Sequence, residues 1–131
     1  MTAYDLDGTL CTETPAKWWE KPLFWIFGDA WGRVRKTWEK PILKPEGEYV
    51  IITSRVDIGI HKQRTAKWLV KNGYTPALVS MITVEMKKNM FLSEYKALGC
   101  KVLEVTKYFE NDPKIAEYLR QEVPGLEVVE V

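Results

Sequence analysis

An α/β fold with a central, mostly parallel sheet of about five strands is predicted by three observations on the 131-residue chain. Short apolar runs alternate with amphipathic stretches of helical length, the pattern left by parallel strands joined through crossover helices. The run Tyr49-Val50-Ile51-Ile52 is apolar without alternation, which suits a strand covered on both faces. Three of the predicted strands lead into polar clusters, Asp5-Leu6-Asp7, Thr53-Ser54-Arg55 and Glu110-Asn111-Asp112. Ligands of parallel sheets bind beyond the carboxyl ends of the strands, so convergence of these three clusters predicts a site.

The elements follow in order. Residues 2–5 read as a short strand, and Thr9 to Thr14 as a polar loop over the site. Residues 15–47 form an insert of a different kind, with five of the six tryptophans between Trp18 and Trp38. Trp31, Val34 and Trp38 fall at helical spacing, with Arg33, Arg35 and Lys36 largely off that stripe, so one or two short helices bounded by prolines are expected. The second strand lies within Glu48 to Thr53. Asp57 to Asn72 reads as a helix closed by Gly73, with Ile58, His61, Thr65, Trp68 and Leu69 roughly along one face. Pro76 to Ile82 supplies the third strand and Lys87 to Leu98 the next helix, ended by Gly99. Lys107 to Glu110 is the fourth strand, Pro113 to Glu122 a helix with proline in its first turn, and Leu126 to Val131 the last strand.

Composition narrows the function classes. The length fits one domain, residues 1–131, with 15–47 as an insert inside it. A net charge of +1 gives no global preference for nucleic acid or for an anionic membrane. Cys11 and Cys100 match no metal-ligand spacing, which points to a reduced protein in the cytoplasm, with one disulfide between them as the alternative. The apolar start meets Asp5 too early for a secretory leader, and no run approaches the ~20 apolar residues of a membrane span. No stable membrane association and no obligate protein partner are expected.

The chemistry starts from Asp5 and Asp7. One residue apart, they project to the same side if the strand continues through both, and Gly8 lets the chain turn away sharply. Paired carboxylates there suit a hard cation such as Mg2+, which takes oxygen ligands. One carboxylate can attack phosphorus, and the other can exchange protons with the leaving oxygen. Thr53, Ser54 and Arg55 could hold a phosphoryl oxygen, although Ser and Thr also serve as helix caps. A cation beside the nucleophile would neutralise phosphate charge, and Lys87, Lys88 and Lys96 are the candidates. Oxygen atoms of Glu110, Asn111 and Asp112 could complete a metal site, or cap the following helix. His61, the only histidine, reads as a structural or surface residue.

The string Asp5-Leu6-Asp7-Gly8-Thr9-Leu10 resembles the first motif of the haloacid dehalogenase-like (HAD) phosphohydrolases. Thr53 matches the second motif, and Thr53-Ser54-Arg55 is a common form of it. The run Thr83 to Leu92 resembles the third motif as found in small members related to nucleic-acid-repair and polynucleotide phosphatases, which favours Lys87 over Lys88. Tyr108-Phe109-Glu110-Asn111-Asp112-Pro113 resembles the fourth. The resemblance implies a Rossmann-like three-layer fold and Mg2+-dependent hydrolysis through an aspartyl-phosphate on Asp5. Asp7 would be acid and base, and Thr53 and Lys87 would complete the catalytic set. Thr9, Ser54 and Arg55 would bind substrate. Mg2+ would be held by Asp5, the Asp7 main-chain carbonyl and Asn111, with Glu110 orienting the lysine and Asp112 as an alternative ligand.

The insert occupies the place of a minimal cap, which leaves the site open to a phosphate on a large substrate, such as a nucleic-acid end or a protein; the motif resemblance leans towards a nucleotide or a nucleic-acid end. Its tryptophans would then either pack the insert onto the body or stack on bases, with Arg33, Arg35 and Lys36 on phosphates. Interfacial membrane contact is disfavoured because Pro22 and Gly28 break the aromatic stretch. Phosphatases of small metabolites or phosphoproteins, and a non-catalytic binding protein on the same fold, are the competing readings.

Overall fold

The computed structural model describes residues 1–12, 18–28, 30 and 40–131. The expected stripe of Trp31, Val34 and Trp38, with Arg33, Arg35 and Lys36, lies outside the described residues.

Five parallel strands form one sheet: β1 (Thr2–Tyr4), β2 (Tyr49–Val56), β3 (Leu78–Ile82), β4 (Lys107–Glu110) and β5 (Glu127–Glu130), in the order β3-β2-β1-β4-β5. Between β1 and β2 stand a 3-10 turn, Trp18–Glu20, and a short helix α1 (Lys21–Phe27). The helices α2 (Gly59–Lys71), α3 (Val84–Asn89), α4 (Leu92–Val102) and α5 (Pro113–Glu122) follow. The chain steps outward from β1 to β3, then returns to lay β4 against the other side of β1. The strand order reverses between β1 and β4, which opens a crevice at their carboxyl ends.

Alternation along the strands sorts the core into two layers. Ala3, Val50, Ile52 and Tyr108 face one way, against Tyr95, Ala97 and Cys100 of α4 and Ala116 and Leu119 of α5. Tyr4, Tyr49 and Ile51 face the other, against Trp68 and Leu69 of α2 and Tyr74. The result is the three-layer, Rossmann-like α/β architecture expected from the sequence.

Some boundaries differ from the expectation. The first strand stops at Tyr4, one residue short of Asp5. The second runs on to Val56, so Thr53-Ser54-Arg55 lies inside its end, where the register with β3 shifts between Thr53 and Val56. The helix expected over 87–98 is two helices. Met90 and Phe91 are extended and separate α3 from α4. Each half has its own start: the Thr83 hydroxyl accepts from the Met86 N–H, and the Glu94 carboxylate from the Phe91 N–H. Gly99 does not end the helix but sits inside α4, where an added Cβ would lie 3.2 Å from Ile52 Cδ1. Its lack of a side chain lets the helix approach β2. Of the face expected on α2, Thr65, Trp68 and Leu69 are buried, while Ile58 and His61 are exposed.

Candidate active site

Asp5 leaves β1 at the crevice, its N–H donating to the Phe109 carbonyl at 2.9 Å as a continuation of the β1–β4 pairing. The turn that follows wraps around one atom: the Leu6 carbonyl accepts from the N–H groups of Leu10 at 2.9 Å and Cys11 at 3.1 Å. Gly8 has φ of 80°, a conformation that L side chains rarely adopt, so the reversal requires glycine there. The turn brings Asp7 back beside Asp5, on the wall of the same cavity.

Lys96 enters from α4. Its Nζ lies 2.8 Å from Glu110 Oε2 and 3.2 Å from Asp5 Oδ1, and all three residues are buried. Asp5 Oδ1 also accepts from the Leu6 N–H at 2.9 Å, and Glu110 Oε1 from the Asp112 N–H at 3.2 Å. Two buried carboxylates thus share one ammonium, an excess of one negative charge if both are ionised. Burial pushes the Asp5 carboxyl up to about 8; Lys96 works against the rise and the Glu110 charge adds to it. For Lys96, burial favours the neutral amine, but Asp5 and Glu110 more than offset it and hold the ammonium above its usual pKa. Asp5 therefore favours its protonated form unless another cation arrives.

Asp7 has a different partner. Arg55 grips it with a two-pronged fork, Nη2 to Oδ1 at 2.7 Å and Nε to Oδ2 at 3.1 Å. The remaining terminal nitrogen, Nη1, donates to Thr65 Oγ1 of α2 at 3.0 Å. Thr53 is buried under the site, its hydroxyl accepting from the Arg55 N–H at 3.2 Å.

A cavity of about 350 Å³ opens over these groups. Asp5, Asp7, Ser54, Lys96, Glu110, Asn111 and Asp112 supply its polar wall, and Leu92 and Ile115 its apolar side. The structure therefore brings together Asp5, Asp7, Ser54, Glu110, Asn111 and Asp112 as the sequence suggests, with Thr53 beneath them.

Three expectations are corrected. Lys87 is not beside the nucleophile candidate: it and Lys88 are exposed on α3, and Lys96 takes that place. The break at Met90 and Phe91 is the reason, since it lets α4 point a different lysine inward. The lysine that pairs with Glu110 is Lys96. Thr9 is buried and does not line the cavity, and its hydroxyl has no hydrogen-bond partner among the described residues, so it cannot touch substrate there. Arg55 is committed to Asp7 rather than pointing alone into the cavity. Thr65 escaped sequence reasoning, because nothing in a helix threonine reveals a partner ten residues earlier. Lys96 did carry a signal: it falls between Tyr95 and Gly99-Cys100 on the core-facing stripe of α4, where a lysine needs buried partners.

The donor chemistry suits a hard divalent cation. Asp5, the Asp7 carbonyl and Asn111 offer only oxygen, and the buried carboxyls lack one positive charge. Among the described residues no three Asp, Glu, His or Cys side chains gather into a cation site of their own, so amide and main-chain oxygens would have to complete the set. Both cysteines are buried free thiols, and burial pushes Cys100 up to about 12, far from nucleophile range.

Comparison with models of protein families, with curated proteins and with solved structures gave no match.

Proposed function

We propose that the protein is a Mg2+-dependent phosphohydrolase of the HAD type, acting through an aspartyl-phosphate on Asp5. The observation that supports it most is the Asp5–Lys96–Glu110 cluster at the strand-order reversal, with a second carboxylate, Asp7, on the wall of the same open cavity. In this reading an Asp5 oxygen attacks phosphorus as the bond to the leaving oxygen breaks, and Asp7 gives that oxygen its proton. Asp7 then takes a proton from water as water attacks the acyl phosphate, releasing inorganic phosphate and restoring the Asp5 carboxylate. Lys96 holds Asp5 in place and offsets its charge, Glu110 fixes Lys96, and Ser54 faces the phosphoryl oxygens. Asp5, the Asp7 carbonyl and Asn111 would hold Mg2+, which when bound neutralises phosphate charge and favours the ionised form of Asp5.

We assign the substrate to a nucleotide or a phosphorylated nucleic-acid end. The support for that class is the likeness of Thr53-Ser54-Arg55 to its motif; the likeness around Lys87 carries less weight, because Lys87 stands away from the cavity. The test is phosphate release with Mg2+ from a panel: an aryl phosphate, nucleoside monophosphates, 5′- and 3′-phosphorylated oligonucleotides, sugar phosphates and a phosphopeptide. Release that requires both Mg2+ and Asp5 supports the chemistry, and preference for the nucleotide members supports the substrate. Silence across the panel, with no Mg2+ binding, would favour a non-catalytic protein on this fold.

A further inference from the structure

Two of the described tryptophans of the insert, Trp18 and Trp25, project into solvent. Trp18 is 87% exposed and Trp25 93%, with Ile26 at 71% and Phe27 at 55%. No residue of α1 is buried, and its main packing partner among the described elements is the 3-10 turn before it. A helix apolar on every side is ordinarily covered by something, and a contiguous exposed apolar patch marks a contact surface.

The two residues expected to break this segment instead frame it. Pro22 sits in the first turn of α1, where its missing N–H is not needed. Gly28 closes the helix, its N–H donating to the Phe24 carbonyl at 2.9 Å. The two ends of the insert are held together where the Thr12 N–H donates to the Lys40 carbonyl at 2.9 Å and the Ile42 N–H to the Leu10 carbonyl at 2.8 Å.

Charge says what the surface fits. Residues 15–47 hold seven Lys and Arg against four Asp and Glu, a net of +3 in a chain whose total is +1, so the remainder carries −2. One of the four acids, Glu20, is buried. Basic residues flank the aromatic run on both sides in the sequence. We infer that this segment, net basic in sequence, docks the protein on an anionic lipid surface, with the exposed Trp18, Trp25, Ile26 and Phe27 side chains at the acyl-chain boundary. No described helix is long and apolar enough to cross a membrane, so the contact is interfacial. A single-stranded nucleic acid fits less well. Stacking platforms line a cationic groove with flat aromatic faces, whereas α1 is a short helix with no buried residue, and aliphatic Ile26 is among its most exposed side chains.

The experiment is flotation of the intact chain with phosphatidylcholine vesicles, with and without phosphatidylserine, followed also by tryptophan emission. The comparison is the double variant Trp25→Ser, Ile26→Ser, whose fold is checked by circular dichroism. Recovery with the anionic vesicles, a blue shift of emission, and a loss of about tenfold or more in the variant are expected. No recovery with vesicles overturns the inference. Equal recovery with both lipid compositions overturns the anionic assignment. Tryptophan quenching by an oligonucleotide without vesicle binding would assign the surface to nucleic acid. A dimer that the variant dissociates, again without vesicle binding, would assign it to a second copy. None of these readouts depends on phosphatase activity.

Discussion

Lys96 lies between Asp5 and Glu110, 3.2 Å from one carboxylate and 2.8 Å from the other, with all three side chains almost wholly buried at the floor of the cavity. Removing it leaves two adjacent carboxyls buried without their counter-charge. Lys96→Met should destabilise the fold by about 3–5 kcal/mol, while Lys87→Met, on an exposed helix face, should stay within about 0.5 kcal/mol of the parent. Urea unfolding of the two variants checks this. Equal, small effects would mean that the triad is not what holds this end of the sheet.

The same cluster predicts a pH dependence with a definite sign. The Asp5 carboxyl titrates at about 8 in the folded chain against 3.8 for the free side chain, so the folded state binds the extra proton between those values. Its contribution to stability is complete below about pH 4 and is lost as pH rises through about 8. In a chelator, the melting temperature of the parent should fall over this window relative to Asp5→Asn, which has no such proton to lose. Added Mg2+ should flatten the difference, because a bound cation takes the proton's place. A parent and variant with parallel pH profiles would contradict the assignment.

Arg55 and Thr65 give a third test. Arg55→Lys keeps the charge but cannot reproduce the fork on Asp7, and should lower kcat about 10- to 100-fold with little change in KM if Asp7 needs that orientation. Thr65→Val removes the hydrogen bond from Arg55 Nη1 and should cost about 1 kcal/mol. Thr65→Ser should restore both stability and turnover. Steady-state kinetics and thermal unfolding of the three variants decide it; a Ser variant no better than Val would deny the hydroxyl its role.

Gly99 offers a packing test. An alanine there gains helix propensity but presses its Cβ to 3.2 Å from Ile52 Cδ1, and Ile52 is fully buried. Gly99→Ala should therefore destabilise by about 1 kcal/mol or more, and adding Ile52→Val should recover part of the loss. A double-mutant cycle measures this coupling.

How far the sequence was legible follows from what each residue's neighbours in the chain could reveal. The five strands and the sheet's parallel character were readable because Tyr49 to Ile52 and the alternating helical stretches report burial locally. Asp5, Asp7, Ser54 and the Glu110 to Asp112 cluster could be placed together because strand ends in a parallel sheet share one edge. That Lys96, not Lys87, stands beside Asp5 was hidden because Met90 and Phe91 interrupt what reads as one helix, and the interruption depends on two separate N-terminal caps, at Thr83 and Phe91. The Arg55–Asp7 fork spans 48 positions, a pairing that no local pattern encodes. The exposure of Trp18 and Trp25 was equally invisible, since a cluster of aromatics reads the same whether it packs inward or projects outward.

The central claim is that Asp5 carries the phosphoryl group, and its most direct test is acid quenching of the protein during turnover of its best substrate with Mg2+, followed by peptide mass spectrometry. The account predicts a phosphoryl adduct on the peptide containing Asp5, present in the parent, absent in Asp5→Asn and lost on exposure to hydroxylamine. Sustained phosphate release with no adduct at Asp5, or with Asp5→Asn as active as the parent, would contradict it.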